Sequence, residues 1–140
     1  RESDDGGEQF ARHWAMRVAY AFSTSLISAF PQVGQGEGYS AVMGTTLRRL
    51  GGRDPEAMAR IAAALGMRGV AAADAPGRIA DRMDTVFRSL GMPTRLSELG
   101  IAREGLPQVL ELSLTNFNAD PKREFLRERE LLSEVLDSAW

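Results

Sequence analysis

Across residues 8–30, Ala11, Trp14, Ala15, Val18, Ala19, Phe22, Leu26, Ala29 and Phe30 recur at the 3.6-residue spacing of a helix face, and Pro31 stops the run. A face that long and apolar has to be covered, so the rest of the chain must supply elements that pack on it. The remaining pattern is again helical. A second helix is expected from Tyr39 to Leu50, ending at Gly51 and Gly52. A third starts at Asp54 as its cap, with Pro55 in the first position, and runs through Met58, Ile61, Ala62 and Leu65 to Gly66.

Asp74 is the next expected cap, with Pro76 in the first turn. The face Ile79, Met83, Val86, Phe87, Leu90 follows, and Gly91 closes it. Thr94 opens a short helix that Gly100 ends, and Leu106, Val109, Leu110 and Leu114 mark another, with Pro107 tolerable in its first turn. Residues 116–121 read as a loop before a last helix carrying Phe125, Leu131, Leu132, Val135 and Leu136. The expected fold is an all-α bundle of six or seven helices, with the helix over residues 8–30 through its centre. Residues 1–7 are expected to be a disordered or linker segment, and residues 8–140 a single helical domain.

Composition narrows the chemistry. The 140 residues contain no cysteine and a single histidine, which excludes a disulfide framework, a thiolate nucleophile and a His-rich metal site built from one chain. The 17 basic and 19 acidic residues give a net charge of -2, too balanced for a nucleic-acid or anionic-membrane footprint. No apolar stretch reaches a membrane span, and the acidic start is no secretory signal. Cytoplasmic residence is the expectation. The absence of an initiator methionine leads us to expect a processed piece or part of a longer product.

No motif carries a reaction by itself. The glycines at 34, 36 and 38 suggest a phosphate loop only superficially, because a helix rather than a strand precedes them and the Walker lysine is missing. A flexible helix connection is the better reading. His13, placed within the first helix beside Trp14, has no second imidazole to work with. The alternating charges of residues 122–130 read as a solvated helix face.

The stretches LGMPTRLSELGI (90–101) and GLPQVLELSL (105–114) resemble the C-terminal helical region of the iron-containing alcohol dehydrogenases. With the maleylacetate reductases, these enzymes form part of the dehydroquinate-synthase-like group. The resemblance extends to EAMARIAAALG (56–66), to the closing LSEVLDSAW (132–140), and to VGQGEGYSAVMGTTLR (33–48), which sits where the family has its metal-binding loop and following helix. It implies a dehydroquinate-synthase-like helical domain, a catalytic divalent metal held by one aspartate and three histidines, and NAD(P) on a separate N-terminal α/β domain.

Taken position by position, the resemblance puts the family's first-helix histidine at Tyr20, and the further one that the family often has a turn later at Thr24. The histidine of its Pro-His-Gly falls at Gln35, and that of the next helix at Thr45. None is histidine here, and a phenol, a hydroxyl or an amide is a poor donor to iron or zinc. Arg17 stands where the family has a helix glycine, and is expected to crowd a substrate channel. The implied cleft, lined by Tyr20, Thr24, Gln35, Glu37, Tyr39 and Thr45, offers groups suited to a small polar ligand. We therefore expect no catalytic residues, no metal and no cofactor in this chain, with NAD(P) entering only through a separate nucleotide-binding part. The expected role is a binding or assembly module, self-associating or joined to a nucleotide-binding subunit. The alternative is a subunit or fragment of an NAD(P)-dependent oxidoreductase completed by that subunit.

Overall fold

A computed structural model describes residues 13–140, so the expectation for residues 1–7, and the start of the first helix over 8–12, lie outside the described residues. Six α-helices follow one another: α1 (Trp14–Ala29), α2 (Gln35–Leu50), α3 (Pro55–Ala64), α4 (Ala75–Ser89), α5 (Leu106–Leu114) and α6 (Arg129–Ala139). Single 3₁₀ turns occupy Gly51–Arg53, Leu96–Leu99, Arg103–Gly105 and Phe125–Glu128. No strand occurs among the described residues, and the architecture is the all-α bundle expected.

Proline and glycine punctuate the helices where the sequence places them. Pro55, Pro76 and Pro107 lie in first turns, where no intrahelical N–H is lost. Gly91 and Gly100 end the Ala75–Ser89 and Leu96–Leu99 segments at φ of 75° and 74°, a region that favours glycine. Asp54 and Asp74 stand at the N-cap positions, but neither side chain makes a capping hydrogen bond, so these starts rest on proline geometry instead. His13 is not within α1: it precedes the helix, with φ −90° and ψ 84°. α3 stops at Ala64, one residue before the expected Leu65.

The charged run at 122–130 is not one solvated helix face. It is a turn followed by a 3₁₀ segment that buries Phe125 completely, and α6 begins only at Arg129. The long range of the Phe125 contact outweighs the local charge pattern, because a full aromatic ring is worth more buried than any surface ion pair.

α2 is the hub. It packs on α1, α4 and α6 and on the turns at Gly51–Arg53 and Leu96–Leu99, whereas α1 packs mainly on α2 and α5. The expectation that the first helix forms the centre is corrected accordingly. α1 still contributes a fully buried stripe of Val18, Ala19, Ala21, Phe22 and Leu26 to the core. The helix α2 also begins four residues before Tyr39, inside the glycine-rich stretch expected to be a loop. The glycines are there for contact. A β-carbon on Gly38 would stand 3.4 Å from the Ser23 carbonyl oxygen of α1, one on Gly36 would lie 3.2 Å from Met92 Cε, and one on Gly44 would sit 2.5 Å from Asp84 Oδ1 of α4. Close packing of α2 offsets a helix-propensity cost of about 1 kcal/mol per glycine.

Arg17 corrects a further expectation. Its guanidinium does not enter a channel but lies in the core, 5% exposed, 5.4 Å from both the Trp14 and Phe125 ring centroids. Nε donates to the Ala119 carbonyl at 2.8 Å and Nη2 to Asp120 Oδ1 at 3.1 Å. Asp120, fully buried, also accepts from the Glu124 and Phe125 N–H groups, both at 2.8 Å. Removing one partner of a buried pair strands the other charge. Arg17→Ala should therefore cost about 3–5 kcal/mol in urea unfolding, comparable with the about 3–5 kcal/mol expected for Phe22→Ala. A loss well under 1 kcal/mol for Arg17→Ala would show that the pair is not what ties α1 to the α5–α6 connection.

Candidate functional site

The six candidate positions lie on the two helices that form the widest contact of the fold, and their side chains have different tasks there. Tyr20 and Thr24 stand one turn apart on α1, both half-buried, with Tyr20 packed against the core. Gln35 and Glu37 are exposed in the first turn of α2, so they belong to a helix terminus rather than to a loop. Tyr39 and Thr45 follow on the same helix, both half-buried.

Thr24 and Glu37 are already hydrogen-bonded, and Tyr39 is held neutral. The Thr24 hydroxyl donates back to the Tyr20 and Ala21 carbonyl oxygens, each at 3.1 Å, and accepts from Asn116 Nδ2 at 2.9 Å. Thr24 thus serves the α5–α6 connection, and the cleft that it lines takes its other walls from Ser25, Ser28 and residues 112–118, with none of the other five candidates. The Glu37 carboxylate accepts the Gly34 N–H at 3.1 Å, closing the N-terminus of α2 in the manner of a capping box. Burial raises the Tyr39 phenol above its ordinary value of 10.0, so it is held protonated and cannot serve as a phenolate donor near neutrality.

The far end of α2 is tied to α4 by charge. Arg48 Nη2 reaches Asp84 Oδ2 at 2.7 Å and Asp81 Oδ1 at 2.9 Å. Burial alone would lower the Arg48 guanidinium, but its hydrogen bonds to Asp81 and Asp84 hold it above the ordinary value. Asp84 is 3% exposed, and its Oδ1, lying over Gly44, makes no hydrogen bond among the described residues. Ser40 donates to the Pro93 carbonyl at 2.5 Å, which fixes the segment after α4 against α2.

The model of the Fe-containing alcohol dehydrogenase family, C-terminal, matches residues 17–139, which is nearly all of the described chain. The chain belongs to that family. No curated protein and no solved structure matches it. The match spans α1 through α6, so the helices α1 and α2 of this alcohol dehydrogenase-family domain are those on which the resemblance places the metal positions.

Among the described residues, no three His, Cys, Asp or Glu side chains come together in a way that could hold a metal ion. His13 stands seven residues before Tyr20, with its Nε2 buried and without a hydrogen bond among the described residues, at a cleft beside Arg53 and Asp54. The cleft it lines shares no wall with that of Thr24.

Sequence reasoning gave no role to Asn116 and Phe117, which lie in a stretch read only as loop. Asn116 ties that loop to α1 through Thr24 and to the Ala119 N–H through Oδ1 at 3.1 Å. The available signal was an aromatic residue between two asparagines. Thr24→Val keeps the shape but leaves Asn116 Nδ2 without its acceptor, and should cost about 1–2 kcal/mol. Hydrogen exchange should quicken in residues 116–120 rather than across α2; protection lost first in α2 would show that Thr24 serves the α1–α2 contact instead.

Proposed function

We propose that this domain is a binding or assembly module without dehydrogenase activity of its own, holding neither metal nor nucleotide by itself. The observation that carries this reading is the use made of the candidate positions. The Thr24 hydroxyl is spent on Asn116, the Glu37 carboxylate on the α2 N-terminus, and the Tyr39 phenol is held neutral. Of the other three, Tyr20 packs against the core, and Gln35 and Thr45 offer an amide and a hydroxyl, which suit a small polar ligand or a partner's loop better than a divalent cation.

Surface chemistry supports assembly. Val86 is 46% exposed on α4 and Leu90, directly after the helix, is 69% exposed, while Met92 beyond them reaches Gly36 at the start of α2. Met92 lies against Gly36, between the exposed Gln35 and Glu37, so a partner seated there would meet apolar and polar groups together. The partner is a second copy or a nucleotide-binding α/β subunit, and the compartment is the cytoplasm. A second reading is favoured by the family match itself, which is to a C-terminal part. In that reading the domain is one piece of an NAD(P)-dependent oxidoreductase that a separate nucleotide-binding part completes.

Three measurements test this. The purified chain should show no NAD(P)H oxidation above background with a panel of small aldehydes and keto acids, and elemental analysis should find no stoichiometric iron or zinc after dialysis. Turnover by the chain alone, or metal that survives dialysis, would overturn the module reading. Light scattering should find a mass above that of the monomer, and Leu90→Glu should return it to the monomer. A strict monomer at high concentration would remove self-association and leave the partner subunit.

A further inference from the structure

Beyond any assembly role, the cleft between the end of α1 and the α5–α6 connection has the makings of a site. It is an open depression with a volume of about 470 Å³. No charged side chain lines it, although charged residues make up 26% of the chain. Of its polar walls, the Ser28 hydroxyl and the Asn118 amide make no hydrogen bond among the described residues, whereas Thr24 and Thr115 donate to main-chain carbonyls and Asn116 is bonded at both ends of its amide. Phe117, 48% exposed, stands among them.

Two features show that this wall is held in place. Asn116 is fixed at both ends of its amide, by Thr24 Oγ1 and by the Ala119 N–H, so the loop that carries Phe117 is anchored to α1. Arg123 is the non-glycine residue that adopts positive φ among the described residues, at 55°, and its guanidinium lies 4.7 Å from the Phe117 ring centroid. A left-handed backbone at a non-glycine residue is unfavourable unless its surroundings hold it. Here it accompanies a cation covering one face of the ring, which fixes the ring plane and leaves the rest of Phe117 for other contacts.

We propose that this cleft binds a neutral, polyhydroxylated ligand of monosaccharide size. The Ser28 hydroxyl and the Asn118 amide both donate and accept, and the Thr24 and Thr115 oxygens keep an acceptor lone pair, so together they match a ligand whose own hydroxyls donate and accept. The aromatic ring supplies an apolar platform for the C–H face of a sugar ring, and the absence of charge disfavours an anion or a cation by leaving it unpaired on entry.

The probe is D-glucose, titrated into the ¹⁵N-labelled chain and followed by amide shifts. Saturable shifts are expected at Thr24, Ser25, Ser28 and residues 115–118, with a dissociation constant on the order of a few millimolar. Phe117→Ala should weaken binding at least about tenfold, as the loss of one well-packed aromatic contact would. Ser28→Gln changes an exposed residue of the wall, fills the cleft without touching the core, and should abolish the shifts while the remaining spectrum is kept. Sodium acetate should leave these amides unmoved. The proposal is overturned if glucose produces no saturable shift there, if its shifts survive in both variants, or if butan-1-ol moves the same amides as strongly as glucose.

Discussion

Arg17 is the point on which the packing of this domain turns. A guanidinium 5% exposed would be costly without partners, and here it has a carbonyl, a carboxylate and two aromatic faces. Its main counter-charge, Asp120, is itself satisfied by two backbone N–H groups of the turn that leads into Phe125. The pair therefore fixes where the chain runs between α5 and α6, and it sets Phe125 edge-on to Trp14 at 5.1 Å and 81°. The start of α1 and the approach to α6, more than a hundred residues apart, become one unit. Arg53 extends the cluster from outside, 5.0 Å from the Trp14 ring centroid and bidentate to Glu128.

The opposite side of the bundle is organised by the absence of side chains. Gly38 lets α2 lie on the backbone of α1, and Gly44 makes room for the Asp84 carboxylate of α4. Arg48, one turn further, then pairs that carboxylate. α2 can be the hub because its glycines permit close approach on two sides, while Leu47 and Leu50 fill the core beyond them. Functional consequences follow from this. An α2 pressed so closely on its neighbours, with Glu37 committed to its own N-terminus, is a rigid support, and the groups it leaves exposed are few and uncharged apart from Glu37 and the arginines near its end.

The candidate positions were legible only as places on helices. Resemblance to the family set Tyr20, Thr24, Gln35 and Thr45 on α1 and α2, and the family match over residues 17–139 agrees with the overall assignment. What each side chain does there was not legible, because its partner is remote in sequence. Thr24 finds Asn116 some 92 residues away, and no local pattern announces that bond. The same holds for Phe117: an exposed aromatic in a loop reads as incidental until Asn116 and Arg123 are seen to fix it.

By itself the sequence determined the helices, since apolar spacing, proline in first turns and glycine after last turns are local signals that need no distant partner. It therefore gave the all-α class and most element boundaries. Tertiary structure alone decided where local signals were outweighed. Glycines 36 and 38 became helix because close contact with Met92 and Ser23 is worth more than the propensity lost. Residues 122–130 broke into turn and 3₁₀ helix because burying Phe125 and capping Asp120 outweigh an exposed charge pattern. Arg17 went inward because its partners sit on a segment that only the folded chain brings to it. Interactions within a turn of helix are written in neighbouring residues, and those that place a charge or a hydroxyl depend on a partner that the chain supplies from far away.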